Sequence, residues 1–527
     1  MKRLAPSLVA LAGAVARLIP YFRRPSLFYD EAMLSLNVAT RSFAGLLRPL
    51  DYDQTAPPLY LWLTRAATRV AGVNELALRA LPLVAGLLLP LAVWRLGRRL
   101  LPDGAALFAG LVVALAPGLV QYSVIVKPYA VDALVTVVLL DAALEVWTAD
   151  TRSAWAWLIG LGAVGVSLST PAAFVLAAIG LALGAARWRT RALLLAAAAA
   201  VWIGLFALIY AGIYRASAAG VFMQRFWASD FLTPAAFVWG GRAYGILRNS
   251  FLEALLLRPA PAAAAAAFCL LALVGVAWMA RRRGAMAAWM VVGPVVMTAL
   301  ASALRRYPFS WRLLQFAVPL AAFWLAAGGW ALIHVFGTSS ASRWTARVGA
   351  ALVALTLVAV NVTHPYRTPD TRALVADWSR RADPRTPVYV FPGAVPAWAV
   401  YTTDWARPDS AWLAALAGVQ ASHQADLVLR RAGRTEIVGH YTGIDWTIGS
   451  GPSQPHPDSG WAGHEVGRMS AVATGGGDIW LIFDHPYRDE VSQLLRAVEL
   501  QGGVRRYADS LRGASLYQYR LAAGGKP

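Results

Sequence analysis

The 527-residue chain has one cysteine, few acidic residues and little charge of either sign. Each shortage excludes something. The lone cysteine, Cys269, lies in an alanine- and leucine-rich run, so an internal disulfide framework and a thiolate metal cage are both excluded. Charged residues make up 14% of the chain, where a soluble domain carries about a quarter, and a wholly soluble protein is excluded with them. No glycine-rich phosphate loop, His-Glu-x-x-His or Gly-x-Ser-x-Gly run occurs, which leaves soluble nucleotide chemistry and the common hydrolase sites without support. The seven histidines have no metal-ligand spacing: His334 stands near a span end, and His364, His423, His440, His456, His464 and His485 read as surface or loop residues of the tail. No internal repeat is visible, and Ala262 to Ala267 reads as low-complexity helix filler.

What is present is apolar. Hydrophobic residues make up 58% of the chain and the mean hydropathy is +0.52, the values of a polytopic membrane protein with a polar remainder. The formal charge of +20 comes largely from arginines in short clusters between apolar runs, where they orient helices. Topology therefore accounts for the basic balance, and no nucleic-acid partner is implied. Met1-Lys2-Arg3 and the apolar stretch after it read as an uncleaved first helix.

A bilayer crossing needs about 20 apolar residues, fewer where neighbours shield the ends. Eleven candidates lie near 6–22, 77–97, 104–123, 130–148, 154–169, 171–186, 192–213, 260–280, 285–304, 313–336 and 347–362. One further segment, Pro57 to Gly72, decides the phase of the rest, because Arg65 and Arg69 lie on its face at helical spacing. As a span it would put Arg98-Arg99, Arg187 to Arg191 and Arg281 to Arg283 opposite Lys2-Arg3, against the positive-inside rule. As an amphipathic helix on the outer surface it makes all these clusters cytoplasmic. The expected architecture is a polytopic α-helical membrane domain over 1–362, with amphipathic helices in the first outer loop (23–76). A soluble α/β domain over 363–527 follows, on the extracytoplasmic side of a bacterial-type inner membrane. In that tail Val388 to Phe391, Thr435 to Tyr441, Asp478 to Asp484 and Ser515 to Leu521 read as strands and Glu490 to Leu500 as a helix. Gly449 to Gly477 reads as a long loop.

Four outer segments carry chemistry-bearing residues. Phe28-Tyr29-Asp30-Glu31 precedes Ala32 to Leu47, read as an amphipathic surface helix. A helix cap explains one carboxylate there, and two adjacent ones point to function. Asp51-Tyr52-Asp53 ends just before Pro57-Pro58-Leu59-Tyr60. Its hard oxygens suit magnesium, manganese or calcium, with Asp53 the candidate ligand, and solvated loop residues are the competing reading. Lys127-Pro128-Tyr129 and Asp132 sit where one span exits and the next enters. Snorkelling and a local Lys127–Asp132 pair are the bland account, against which stands an anionic ligand. Arg305 to Arg312 carries Arg306 and Arg312 among large aromatics, either as an aromatic belt or as a phosphate site built on paired guanidinium donors.

The acidic pair after the first helix, Pro57-Pro58-Leu59-Tyr60, Lys127 to Asp132, Tyr307 to Arg312 and the soluble tail together resemble the GT-C membrane glycosyltransferases. Within them the chain is most similar to the branch of protein O-mannosyltransferases, aminoarabinose transferases and lipopolysaccharide-core transferases. The resemblance implies an inverting transferase that takes a sugar from a polyprenyl-phosphate donor to a lipid, glycan or protein acceptor at the extracytoplasmic face. It assigns the base to Asp30 with Glu31 beside it, and a second acidic role to Asp132. Lys127, Tyr129, Arg306 and Arg312 become candidates for the donor phosphate. Thr55-Ala56 stand where the aminoarabinose branch often has charged residues, which leaves a metal ligand and a phosphate lysine unmatched, with Asp53 and Lys127 as substitutes. The competing class is a multi-pass transporter or flippase of a lipid-linked sugar. Such proteins gather ionisable residues near the midplane and often have two related halves, neither of which is seen here.

Overall fold

A computed structural model describes residues 4–522 apart from 221–223, 225, 239–241, 258–260, 336–339, 423–426, 440–459, 474–475 and 487–488. All eleven apolar stretches are helical. They correspond to α1 (Ala5–Phe22), α4 (Glu75–Leu100), α5 (Asp103–Leu115) with α6 (Pro117–Tyr122), α7 (Tyr129–Ala149), α8 (Arg152–Leu168) and α9 (Ala172–Arg187). The rest are α10 (Ala192–Ile209), α11 (Ala262–Arg283), α12 (Ala285–Ala303), α13 (Val318–Val335) and α14 (Ser340–Thr363). Among the described residues, six helices are by themselves long and apolar enough to cross a membrane. The shorter ones pack among them, and α7 combines span length with Asp132, Asp141 and Glu145.

The stretch read as one span over 104–123 is broken at Ala116-Pro117. Proline brings no N–H to the last turn of α5, so carbonyls there need other donors. Arg17 of α1, fully buried, supplies them. Its Nη2 donates to the Val113 carbonyl (3.1 Å), Nη1 to the Ala114 carbonyl (2.7 Å) and Nε to Ser123 Oγ (3.1 Å). The break turns the chain toward the loop that carries Lys127.

Between α1 and α4 lie α2 (Tyr29–Thr40) and α3 (Pro58–Ala71). At about 1.5 Å per residue, the 14 residues of α3 fall short of a hydrocarbon core of roughly 30 Å. Arg65, on its inner face, donates to the Val38 and Ala39 carbonyls at the C-terminal end of α2, where positive charge is favoured. The reading of Ala32 to Leu47 as a surface helix is corrected. Residues 31–38 are all buried, and the helix proper is α2. It is covered by α3 on one side and by a helix of the tail on the other.

The tail folds as a six-stranded mixed sheet in the order β2-β3-β1-β4-β6-β5. Its strands are β1 (Val388–Val390), β2 (Val428–Arg431), β3 (Arg434–Val438), β4 (Asp478–Asp484), β5 (Val504–Leu511) and β6 (Ala514–Arg520). The central strands β3, β1 and β4 are parallel, and β1 and β4 are buried on both faces, as parallel strands covered by helices are. Those helices are α15 (Thr371–Arg381), α16 (Val395–Thr402), α17 (Ser410–Ser422), α18 (Trp461–Val472) and α19 (Glu490–Leu500). The loop read over 449–477 is corrected in its second half, which forms α18. Residues 440–459, with His440 and Tyr441 of the expected second strand, lie outside the described residues. Edge strand β5 is mostly exposed and carries Arg505, Arg506 and Asp509 and a bulge, devices that discourage further pairing.

Candidate active site

The site is built where the start of α2 meets the loop before α7. Phe28 is the N-cap of α2, which puts Asp30 and Glu31 in its first turn, so neither precedes the helix as a cap. Glu31 nevertheless does the capping: its Oε2 accepts the Phe28 N–H (3.1 Å), the reach-back half of a capping box. The same carboxylate takes Arg79 Nε on Oε1 and Arg79 Nη2 on Oε2, both at 3.0 Å, and the Val126 N–H on Oε1 at 2.8 Å. Both side chains of the ion pair are buried, 1% and 0% exposed. Four bonds use the lone pairs of both oxygens. Arg79 also donates to the Pro25 and Ser26 carbonyls, so this pair ties α2, α4, the strap before α2 and the loop before α7 into one junction.

Asp30 is held differently. Its side chain is 27% exposed, and its Oδ2 has Lys127 Nζ at 3.4 Å and Arg312 Nη1 at 3.8 Å. Both are beyond charge-assisted hydrogen-bond range, so the carboxylate is attracted without being saturated. Lys127, nearly buried, donates to Gln54 Oε1 (2.7 Å), and Gln54 in turn donates to the Tyr52 carbonyl (3.1 Å). Burial pushes the Lys127 ammonium below the usual lysine range and Arg312 pushes the same way, while Asp30 opposes them. The Arg312 guanidinium lies over the rings of Trp227 (4.5 Å) and Phe226 (5.5 Å), which fix its plane. Its loop is pinned by the Phe309 N–H donating to the Asp230 carbonyl (2.8 Å) and by Ser250 Oγ donating to the Phe309 carbonyl (2.8 Å).

Tyr129 stacks edge-on to Tyr122 and lies within electrostatic reach of Asp30, Arg312 and Asp132. Asp132, buried one turn into α7, has an Oδ1 with no hydrogen-bond partner among the described residues. Around it stand Tyr60, Tyr129, Tyr214 and Tyr307. The local Lys127–Asp132 pair is not formed, because Lys127 turns to Asp30 and Gln54. Two expected residues fall outside the cluster. Arg306 is exposed, and the Asp30 contacts are made by Lys127 and Arg312 instead. Asp53 is exposed in a left-handed turn (φ 51°), and its neighbour Asp51 is bonded to Arg41 at 2.8 Å. Among the described residues no three His, Cys, Asp or Glu side chains converge as a metal site.

The tail reaches this site. His485, at the end of β4, stacks flat on Tyr29 (5.4 Å, 4°) and meets the edge of Phe28 at 4.6 Å. Burial pushes the imidazole down and the nearby Asp30 charge pushes it up. The residue has φ 54°, strained for a side chain with a Cβ, and the Asp484 carbonyl just before it leaves no room for a Cβ on Gly393. From α16 of the tail the Tyr401 hydroxyl accepts the Leu27 N–H (2.6 Å) and donates to Glu75 Oε1 (3.1 Å). Arg372 donates to Glu75 Oε1 as well (2.6 Å). His485 is a loop residue, in the bend after β4, whose ring is packed against the start of α2. Arg79, an ionisable residue inside an apolar run, was detectable as a charge that must find a partner. Nothing local marked His485.

Comparison with known proteins agrees with this architecture. Residues 55–211 match the family model described as dolichyl-phosphate-mannose-protein mannosyltransferase. No curated protein matches the sequence significantly. Among solved structures the chain is similar to ArnT from Cupriavidus metallidurans bound to undecaprenyl phosphate, at 16% identity and a TM-score of 0.50, covering 99% of both chains. The apo form of that protein scores 0.46 at 16% identity over 99% of both chains. Arabinofuranosyltransferase AftD from Mycobacteria scores 0.39 at 14% identity, over 98% of this chain and 42% of that one. The first establishes the fold: this is a membrane protein with the GT-C fold of membrane glycosyltransferases.

Proposed function

We propose that the protein is an inverting glycosyltransferase that moves a sugar from a polyprenyl-phosphate donor to an acceptor at the extracytoplasmic face, with Asp30 as the base. The observation that carries this reading is the contrast within the acidic pair. Glu31 is fully engaged in the junction, whereas Asp30 is partly open and sits between two cations. A hydroxyl attacking an anomeric carbon must lose its proton, and an unsaturated carboxylate within hydrogen-bond reach can take it. The departing lipid phosphate gathers negative charge, which Lys127 and Arg312 are placed to stabilise. Tyr129 lines the same space. Asp132, with an oxygen left unpartnered among tyrosines, orients a polar group of the bound sugar. His485 bounds the acceptor side, because it comes from the tail and not from the membrane helices. Glu31 then acts as a positioning residue, and Arg306 has no part.

The match over 55–211 and the undecaprenyl phosphate bound by a protein of the same fold support a polyprenyl-phosphate donor. The outer location of the site and tail is supported by the arginine clusters at the opposite ends of the helices. The test is release of polyprenyl phosphate from a panel of labelled polyprenyl-phosphate sugars by purified protein supplied with native envelope membranes. Release by the wild type and its loss in Asp30→Asn is the expected result. Full activity in Asp30→Asn would sink the base assignment, and transport of the intact sugar lipid without release would sink the transferase.

A further inference from the structure

The tail carries a second concentration of positive charge, away from Asp30. Strands β2 and β3 form a hairpin whose register sets Arg431 directly opposite Arg434. The two turn residues, Ala432 and Gly433, both have positive φ, 50° and 80°. Such tight turns ask for φ > 0 at both positions, which glycine accepts freely and alanine does not. Like charges directly opposite on an antiparallel pair are destabilising as well. The hairpin tip thus combines a strained alanine with two opposed guanidiniums, and neither feature helps the sheet.

Stacking, not ion pairing, holds both arginines. The Arg431 guanidinium lies 3.8 Å from the centre of the Trp412 ring, and its Nη1 and Nη2 donate to Thr402 Oγ1 (2.9 Å) and the Thr402 carbonyl (2.8 Å). Arg434 lies 4.2 Å from the centre of the Trp378 ring, and its Nε donates to the Pro384 carbonyl (3.3 Å). None of these stacking and hydrogen-bond partners is a carboxylate, so the planes are fixed without a direct ion pair. Both residues line a cavity of about 420 Å³ together with Arg372, Trp378, Tyr401 and Glu436. That volume is within the range of small-ligand sites, roughly 300–1,000 Å³. Glu436 is the one carboxylate in the lining. It is buried and accepts the Trp412 Nε1–H at 2.8 Å; burial pushes its carboxyl up, against the pull of Trp412, Arg431 and Arg434. At the rim Arg372 and Arg24 share Glu75. Three guanidiniums and one carboxylate therefore line the cavity, and Arg372 is already paired with Glu75 outside it. Tyr401 joins this cavity to the Asp30 turn, since its hydroxyl bonds the Leu27 N–H just ahead of Phe28.

We propose that this cavity docks an oxyanion-bearing sugar, its phosphate or carboxylate held between Arg431 and Arg434, and that the bound sugar is the headgroup of the acceptor. The word acceptor rests on the transferase reading above, whereas anion binding stands apart from it.

The test is calorimetric titration of the purified full-length protein with glucose 1-phosphate, glucuronate and glucose. Both anions are expected to bind and glucose is not. Arg431→Gln and Arg434→Gln should each weaken anion binding about tenfold or more, the effect of losing a charge-assisted bond. Their melting temperatures without ligand should hold or rise, because the like-charge opposition is gone. Arg99→Gln, which removes a cation from the Asp141 and Glu145 cluster at the far end of α4, should leave anion affinity within about twofold, as separated sites do. Equal binding of glucose and the anions would overturn the proposal, as would loss of binding in Arg99→Gln with none in the hairpin variants. Phosphatidylglycerol vesicles that displace glucose 1-phosphate at equal phosphate concentration would assign the site to bulk lipid and overturn the sugar. If the wild type binds anions as expected but transfers no sugar, the transferase reading and the acceptor assignment fail together.

Discussion

Helices α4 and α7 pack side by side and carry opposite charges at both ends, yet the two ends are built on different principles. At the end away from Asp30, Arg95 and Arg99 meet Asp141 at 3.0 and 2.9 Å, and Arg99 meets Glu145 at 2.9 Å. Each acid there has a base at hydrogen-bond distance, in partial contact with solvent. At the other end the two neighbouring acids divide. Glu31, wholly buried, is saturated by Arg79 and two backbone amides, while Asp30 keeps a carboxylate that two cations approach only to 3.4 and 3.8 Å. Burial alone accounts for the first arrangement, since an unpaired buried charge is costly. It does not account for the second. A carboxylate held short of saturation between two cations suits a group whose partner arrives with the substrate.

That contrast is broken most directly at the pair itself. Asp30→Asn should lower transfer by about 10²–10⁴-fold, the usual contribution of a positioned base, with the melting temperature unchanged. Glu31→Gln should act through the fold instead. It leaves the Arg79 guanidinium buried without its counter-charge, which costs about 3–5 kcal/mol when one partner of such a pair is removed. Chemical denaturation in detergent measures this. A Glu31→Gln protein as stable as the wild type and yet inactive would reverse the roles assigned to the two residues.

The division of labour was only half legible in the sequence. Adjacent acids, a lysine and an arginine on outer loops were visible, and one cap was expected where two carboxylates stood. Which of the two caps the helix depends on Arg79 and Val126, reached only through packing. The apolar runs announced the long helices because a run of that length and hydropathy suits a bilayer whether or not other helices cover it. The same logic failed where burial came from elsewhere. Helix α2 read as amphipathic because nothing in its sequence says that α16 of the tail covers its outer face. Helix α18 was hidden by Gly460, Gly463 and Gly467, although Trp461, Glu465, Val466 and Met469 mark one buried face at helical spacing. Strand β5 gave no alternation because it is an exposed edge.

A finer cut separates the two cations. Arg312→Ala removes a stacked guanidinium and should raise the donor KM about tenfold, the worth of a charge-assisted contact, with a smaller change in acceptor KM. Lys127 should instead shape the pH profile. Because its ammonium is pushed below the usual range, it loses its proton at lower pH than an ordinary lysine, and donor use should fall on the alkaline side as the positive charge is lost. Lys127→Arg keeps the charge and should move that alkaline limb to higher pH. A limb that stays in place would remove Lys127 from the donor site.

The smallest effect is expected at the opposite end of the same helices. Arg99→Ala removes two ion pairs at once, but its side chain is 25% exposed and Glu145 is 53% exposed, so water replaces much of what is lost. Partly exposed pairs are worth about 0–1 kcal/mol each, and donor and acceptor KM should be unaffected because, among the described residues, the partners of Arg99 are not those of Asp30. Asp141 keeps Arg95, which limits the loss further. If Arg99→Ala instead lowered transfer as strongly as Arg312→Ala while the protein stayed folded, the two ends would be coupled through α4 and α7. Saturation would then no longer distinguish a structural charge cluster from a working one.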